Sequence, residues 1–135
     1  MIVLDCCAAI ELVEQTKAGL TLQSLMLCNE EAVSVDLLPA ELTSVIRKQV
    51  LRGEIERDKA GAYLAEAVGL VDRFVPAFDL QQEALSESLR LNHSSYDMFY
   101  FVLARRCGAT LFTTDQGLAK LCLDNGVNAI CKVDL

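Results

Sequence analysis

Four short runs rich in β-favouring residues, Ile2 to Leu4, Val33 to Val35, Thr110 to Thr113 and Ala129 to Cys131, alternate with segments whose apolar residues recur at helical spacing. Strands that alternate with helices imply a parallel sheet covered on both faces. The expected fold is therefore α/β, a three-layer α/β/α sandwich with a mostly parallel central sheet of four to five strands. Val75 to Phe78 supplies the fifth strand, and Pro76 limits it to a sheet edge or a strand start.

The helical segments follow the same logic. Ala8 to Val13 and Leu20 to Cys28 read as two early helices, the second with an apolar stripe at Leu20, Leu22, Leu25, Met26 and Cys28. Pro39 suits a first helical turn, and Leu42, Val45, Ile46, Gln49 and Val50 continue a helix that Gly53 ends. A second helix from Glu54 to about Phe74 makes a hairpin with it. Further helices are expected at Leu80 to Leu91, at Asp97 to Arg106 with Gly108 as C-cap, and at Gln116 to Leu123 before an Asn125-Gly126 turn. No internal repeat, low-complexity tract or linker interrupts the pattern.

At 135 residues, 53% hydrophobic and 23% charged, the chain suits one globular domain over 1–135 and not a disordered polymer. No apolar stretch approaches the roughly 20 residues of a membrane span, and the N-terminus lacks the basic lead-in of a secretory signal, so the expected compartment is the cytoplasm. Cys6, Cys7, Cys28, Cys107, Cys122 and Cys131 include no CxxC pair and read as reduced thiols acting as small hydrophobes. His93 is the chain's one imidazole, too few for a zinc site without paired cysteines.

Asp5 is the exception in the opening MIVLDCCAAI, whose other nine residues are apolar. An ionised carboxylate withdrawn from water needs a cation, a set of donors or a cleft. Three further acids follow later runs: Glu41 after VSVDLLPA, Asp97 after NHSSY and Asp115 after TLFTT. Each has an ordinary structural explanation. Ser94 and Asp97 fit a capping box, Glu41 fits the first turn of a helix, and Asp115 fits an N-cap. In an open parallel sheet, however, the carboxyl ends of the strands share one edge, so all four acids are expected to converge there. Carboxylate oxygens are the ligands that Mg²⁺ and Mn²⁺ prefer. The net charge of −7 argues against a polyanion partner, yet four acids in one metal-binding pocket would account for more than half of that excess.

With VLD near the start, PAELTSVIRK in the middle and SSYDMFYFVLARRCGATLFTTD near the end, the chain resembles the PIN-domain ribonucleases, and among them the small VapC-like toxins of toxin-antitoxin pairs. The resemblance spans essentially the whole sequence and is most specific from Tyr96 to Asp115. It implies a metal-dependent endoribonuclease whose Asp5, Glu41, Asp97 and Asp115 hold one or two Mg²⁺ or Mn²⁺ ions and whose products carry a 5′-phosphate and a 3′-hydroxyl. It also implies a homodimer and an antitoxin segment lying near the acids. Thr113 matches the threonine of the last motif, whereas Cys7 stands where the family commonly has Ser or Thr, and a thiol is the weaker hydrogen-bond partner.

RNA phosphates need cations close by. Lys48 and Arg52 continue the helical stripe of Glu41, and Arg47 lies beside it. Leu12, Leu20, Leu22, Leu25 and Met26 offer apolar surface for a partner. The rival reading is a catalytically silent PIN-like module that acts through protein binding. A flavodoxin-like nucleotide domain is disfavoured because no glycine-rich phosphate loop follows the first strand.

Overall fold

A computed structural model describes residues 1–26 and 30–131. Five strands, β1 (Ile2–Leu4), β2 (Ala32–Val35), β3 (Arg73–Val75), β4 (Thr110–Phe112) and β5 (Ala129–Ile130), form one sheet in the order β3-β2-β1-β4-β5. Every pairing is parallel, with Val3 opposite both Val33 and Leu111. Among the described residues, seven α-helices connect and cover the strands: α1 (Cys6–Glu14), α2 (Lys17–Leu25), α3 (Leu38–Leu51), α4 (Ala60–Val68), α5 (Gln81–Leu91), α6 (Ser95–Cys107) and α7 (Gln116–Asp124).

Side-chain alternation along the strands divides the core into two layers. Ile2, Leu4, Ala32 and Phe112 pack with Ala8, Leu12 and Leu22 of α1 and α2 on one face. Val3, Val33, Val35 and Leu111 pack on the other face against Met98, Phe101, Val102 and Leu118 of α6 and α7. Ala9 and Ile10 of α1 also meet Leu38, Leu42 and Ile46 of α3 and Ala67 of α4, so the α3–α4 hairpin extends the first helical layer. The result is the expected three-layer sandwich, built on an entirely parallel sheet.

The connection between α1 and α2 depends on a close backbone approach. Thr16 caps α2 by accepting from the Gly19 amide at 3.0 Å. A Cβ placed on Gly19 would lie 1.9 Å from the Glu11 carbonyl oxygen, so only glycine lets the two helices meet there.

Several boundaries differ from those expected. The edge strand is Arg73–Val75 rather than Val75 to Phe78, because Pro76 has no N–H to donate and Ala77–Asp79 closes into a 3₁₀ turn. The second arm of the hairpin does not run from Glu54 to Phe74. It begins with a 3₁₀ turn at Arg57–Lys59 and stops at Val68, and the chain then leaves to join β2, where Asp72 accepts from the Ala32 amide at 2.9 Å. Helix α2 starts at Lys17, and of its stripe Leu22 is fully buried while Leu20 and Leu25 are exposed; Cys28 lies outside the described residues. Among the described cysteines only Cys122 is fully buried, and the other four are half-buried. No helix among the described residues is long and apolar enough to cross a membrane.

Candidate metal centre

The strand order reverses beside β1: β2 and β3 lie on one side of it, β4 and β5 on the other. A crevice opens at the carboxyl edge of such a sheet, between β1 and β4, because the helices leaving the two strands diverge to opposite faces. Asp5 follows β1 at this point, and its amide donates to the Phe112 carbonyl at the end of β4 at 3.3 Å. A pocket of about 300 Å³ sits there, lined by Asp5, Cys6, Cys7, Ile10, Glu11, Glu41, Val45, Asp97, Tyr100 and Asp115. All four acids singled out in the sequence line it.

Each acid is aimed by a local donor. Asp5 caps α1, with Oδ1 accepting from the Ala8 amide at 2.9 Å and from the Cys7 thiol at 3.2 Å. Glu41 stands in the first turn of α3, and its Oε1 accepts from the Tyr100 hydroxyl at 2.5 Å. Asp115 caps α7 through the Leu118 amide at 3.1 Å, as expected of an N-cap. Asp97 does not form the expected capping box, since Ser94 makes no side-chain cap bond. Its Oδ2 instead meets His93 Nε2 at 2.8 Å. The bonds to Glu41, Asp97 and Asp115 each use one carboxylate oxygen.

The electrostatics reflect the burial of negative charge. Asp5 is 5% exposed, and loss of water pushes its pKa from an ordinary 3.8 up to about 6, with the charge of Asp97 adding to the rise. Bonds from Thr113, Ala8 and Cys7 oppose it. Glu41 is raised by the same loss of water, opposed by Tyr100 and reinforced by Asp97. Burial and the neighbouring acid hold the Cys7 thiol at about 11, so it is protonated at neutral pH and donates to Asp5. Thr113 is fully buried beside this pair, its hydroxyl 3.5 Å from Cys7 Sγ and accepting from the Asp115 amide at 3.0 Å. The threonine therefore ties the end of β1 to the loop after β4.

The expected cations are not gathered with the acids. Lys48 on α3 and Arg52 at its C-cap are exposed, beyond Val45 on the stripe that starts at Glu41, and neither lines the pocket. Arg47 faces away from it, into a groove of about 440 Å³ between α3 and α4 that it shares with Arg57. Sequence reasoning missed three residues of the site. Tyr100 follows Asp97 by three positions, Glu11 follows Cys7 by four, and both spacings put residues on one helical face. His93 is the third, and its link to Asp97 is the four-residue spacing across the start of α6.

The donor set suits a hard divalent cation. Five carboxylates, counting Glu11, line the pocket, and no lysine or arginine does so among the described residues. Also among the described residues, no three His, Cys, Asp or Glu side chains stand close enough together to clasp one ion.

No family model matches the chain, and no curated protein matches it. Among solved structures it is similar to the crystal structure of PAE2754 from Pyrobaculum aerophilum, with a TM-score of 0.67 over 88% of this chain and 84% of that one. At 18% identity the likeness establishes the shared α/β fold and nothing of the chemistry.

Proposed function

We propose that the protein is a metal-dependent endoribonuclease that hydrolyses phosphodiester bonds in RNA. One observation carries the reading: Asp5, Glu41, Asp97 and Asp115, from four separate segments, line a single pocket at the carboxyl edge of a parallel sheet where the strand order reverses. Asp5 is buried there, Glu41 and Asp97 are half-buried and Asp115 is exposed, and like charges brought together around a buried carboxylate oppose folding unless a cation offsets them. The sequence resemblance to PIN-domain ribonucleases supports RNA as substrate. It is also the basis for proposing that the chain is the toxin of a toxin-antitoxin pair, a homodimer and the target of an antitoxin protein.

A bound Mg²⁺ or Mn²⁺ would act as a Lewis acid toward the scissile phosphate and lower the pKa of an attacking water. Asp5, Glu41, Asp97 and Asp115 are the candidate ligands, and water would complete the ion's shell. The chain's own donors set up those ligands: Cys7 and the Ala8 amide hold Asp5, Tyr100 holds Glu41, and Thr113 fixes the loop that carries Asp115. Lys48 and Arg52, continuing the Glu41 stripe into solvent, are the proposed contacts for substrate phosphates on either side of the cut. Arg47 is not among them, because it faces the other groove.

Cleavage of single-stranded RNA pools by purified protein, with Mn²⁺ and with EDTA, tests the assignment. Cleavage in Mn²⁺ that is abolished by EDTA and by Asp5→Asn or Asp97→Asn is the expected outcome. Undiminished cleavage by both variants would refute the assignment of the acids, and no cleavage by the wild type with Mn²⁺ would point to the silent interaction module.

A further inference from the structure

Asp97 differs from the other pocket acids in what aims it. Asp5 and Asp115 are held by backbone amides of their own helices, which any sequence would supply, while Asp97 is held by the chain's single imidazole. The backbone under that imidazole is pinned at both ends. The His93 amide donates to the Ser88 carbonyl at 3.2 Å, and the Ser88 hydroxyl donates to the His93 carbonyl at 2.6 Å. Asn92 before it ends α5 in the left-handed conformation, at φ 51°, and α6 starts two residues after it. Glu83, near the start of α5, accepts from both Arg105 and Arg106 near the end of α6, which ties the two helices together at the end away from this corner. The ring is thereby presented to the first turn of α6 in one orientation, and it is only 24% exposed.

An ionised carboxylate only accepts, so the 2.8 Å contact places the ring proton on Nε2. With Oδ2 engaged there, the rotation of Asp97 is fixed and Oδ1 remains for the pocket. We infer that His93 is the positioning residue of the candidate metal centre, holding Asp97 through Oδ2 so that the carboxylate meets the cation already oriented. The inference rests on the metal-site reading above. Hydrogen bonds to a ligating carboxylate commonly set metal affinity by about 10- to 100-fold.

Calorimetric titration of Mn²⁺ into metal-stripped protein tests this without requiring activity. His93→Ala is expected to weaken binding by about 10-fold or more. His93→Gln, whose amide can still donate, should recover most of that loss. Melting temperatures in EDTA establish that both variants are folded. Equal Mn²⁺ affinity in His93→Ala and wild type overturns the role of His93 while leaving the metal site standing. Failure of His93→Gln to recover affinity also overturns it, since ring shape and not the donated bond would then matter. A wild type that binds no Mn²⁺ overturns the metal centre itself, and the role of His93 with it.

Discussion

The Tyr100 hydroxyl donates to Glu41 Oε1 at 2.5 Å, joining α6 to α3 across the pocket. Tyr100 is otherwise a core residue, 1% exposed, and burial beside Glu41 keeps its phenol neutral and able to donate. Tyr100→Phe preserves the packing and removes one bond to a charged acceptor, a loss of about 1.5–3 kcal/mol. Water entering the pocket can solvate Glu41 in its place, which puts the cost at the lower end. Urea denaturation should show that decrease, and the pKa of Glu41, followed by NMR, should rise further in the variant.

Asp5 makes the metal-free protein sensitive to pH. Its folded pKa of about 6 lies above the ordinary 3.8, so between those values the folded state binds the proton more tightly than the unfolded state. Stability is therefore greatest below about pH 4 as far as this group is concerned, and it falls as pH rises through about 6. The rise from 3.8 to about 6 corresponds to about 3 kcal/mol. Asp5→Asn keeps an oxygen for the Ala8 amide and carries no charge. In EDTA at pH 7 it should be more stable than wild type by up to that amount, with the difference vanishing near pH 4. Mn²⁺ should raise the melting temperature of the wild type only. A variant less stable than wild type at pH 7 would mean that its local donors already offset the burial of Asp5.

The layered fold was legible because its signals are short in range: alternating strand runs and helical stripes identified four of the five strands, the edge strand was displaced to Arg73–Val75, and Gly53 and Gly108 marked the ends of α3 and α6. Boundaries shifted where long-range bonds override local pattern, as where Asp72 pairs with Ala32 and draws the chain out of the helix expected as far as Phe74. Asp5 could be picked out because it interrupts an apolar run, and Glu41, Asp97 and Asp115 because each stands at an expected helix start. Their partners could not be assigned the same way. Tyr100 looks like a core residue until α3 is set beside it, and the route of Arg47 into a separate groove depends on where α4 packs.

Gly19 should tolerate no side chain. The methyl of Gly19→Ala would fall 1.9 Å from the Glu11 carbonyl oxygen, and the obstacle is backbone, which cannot rotate aside. Forcing α1 and α2 apart costs about 1–3 kcal/mol, with the upper end expected here. Because Glu11 also lines the pocket, the variant should lose Mn²⁺ affinity along with stability. Chemical denaturation and metal titration measure the two effects separately. A variant as stable as the wild type would show that the helices separate freely.

Cys7→Ser tests whether the thiol weakens the centre. The Cys7 thiol, protonated with a pKa of about 11, lies 3.2 Å from Asp5 Oδ1 and 3.5 Å from Thr113 Oγ1, and S–H is a weak donor. A hydroxyl there would donate more strongly and favour the ionised carboxylate. The pKa of Asp5 should fall below its present value of about 6, and Mn²⁺ should bind more tightly because less proton competition remains at neutral pH. The shorter Cβ–O bond works against this by drawing the donor back, and it also gives up the 3.5 Å contact from the Thr114 amide to sulfur. NMR titration of the Asp5 carboxyl, paired with Mn²⁺ calorimetry, decides which effect wins. A lowered pKa with tighter binding would identify the thiol as a brake on metal affinity, and an unchanged pKa would reduce Cys7 to a spacer between Asp5 and Thr113.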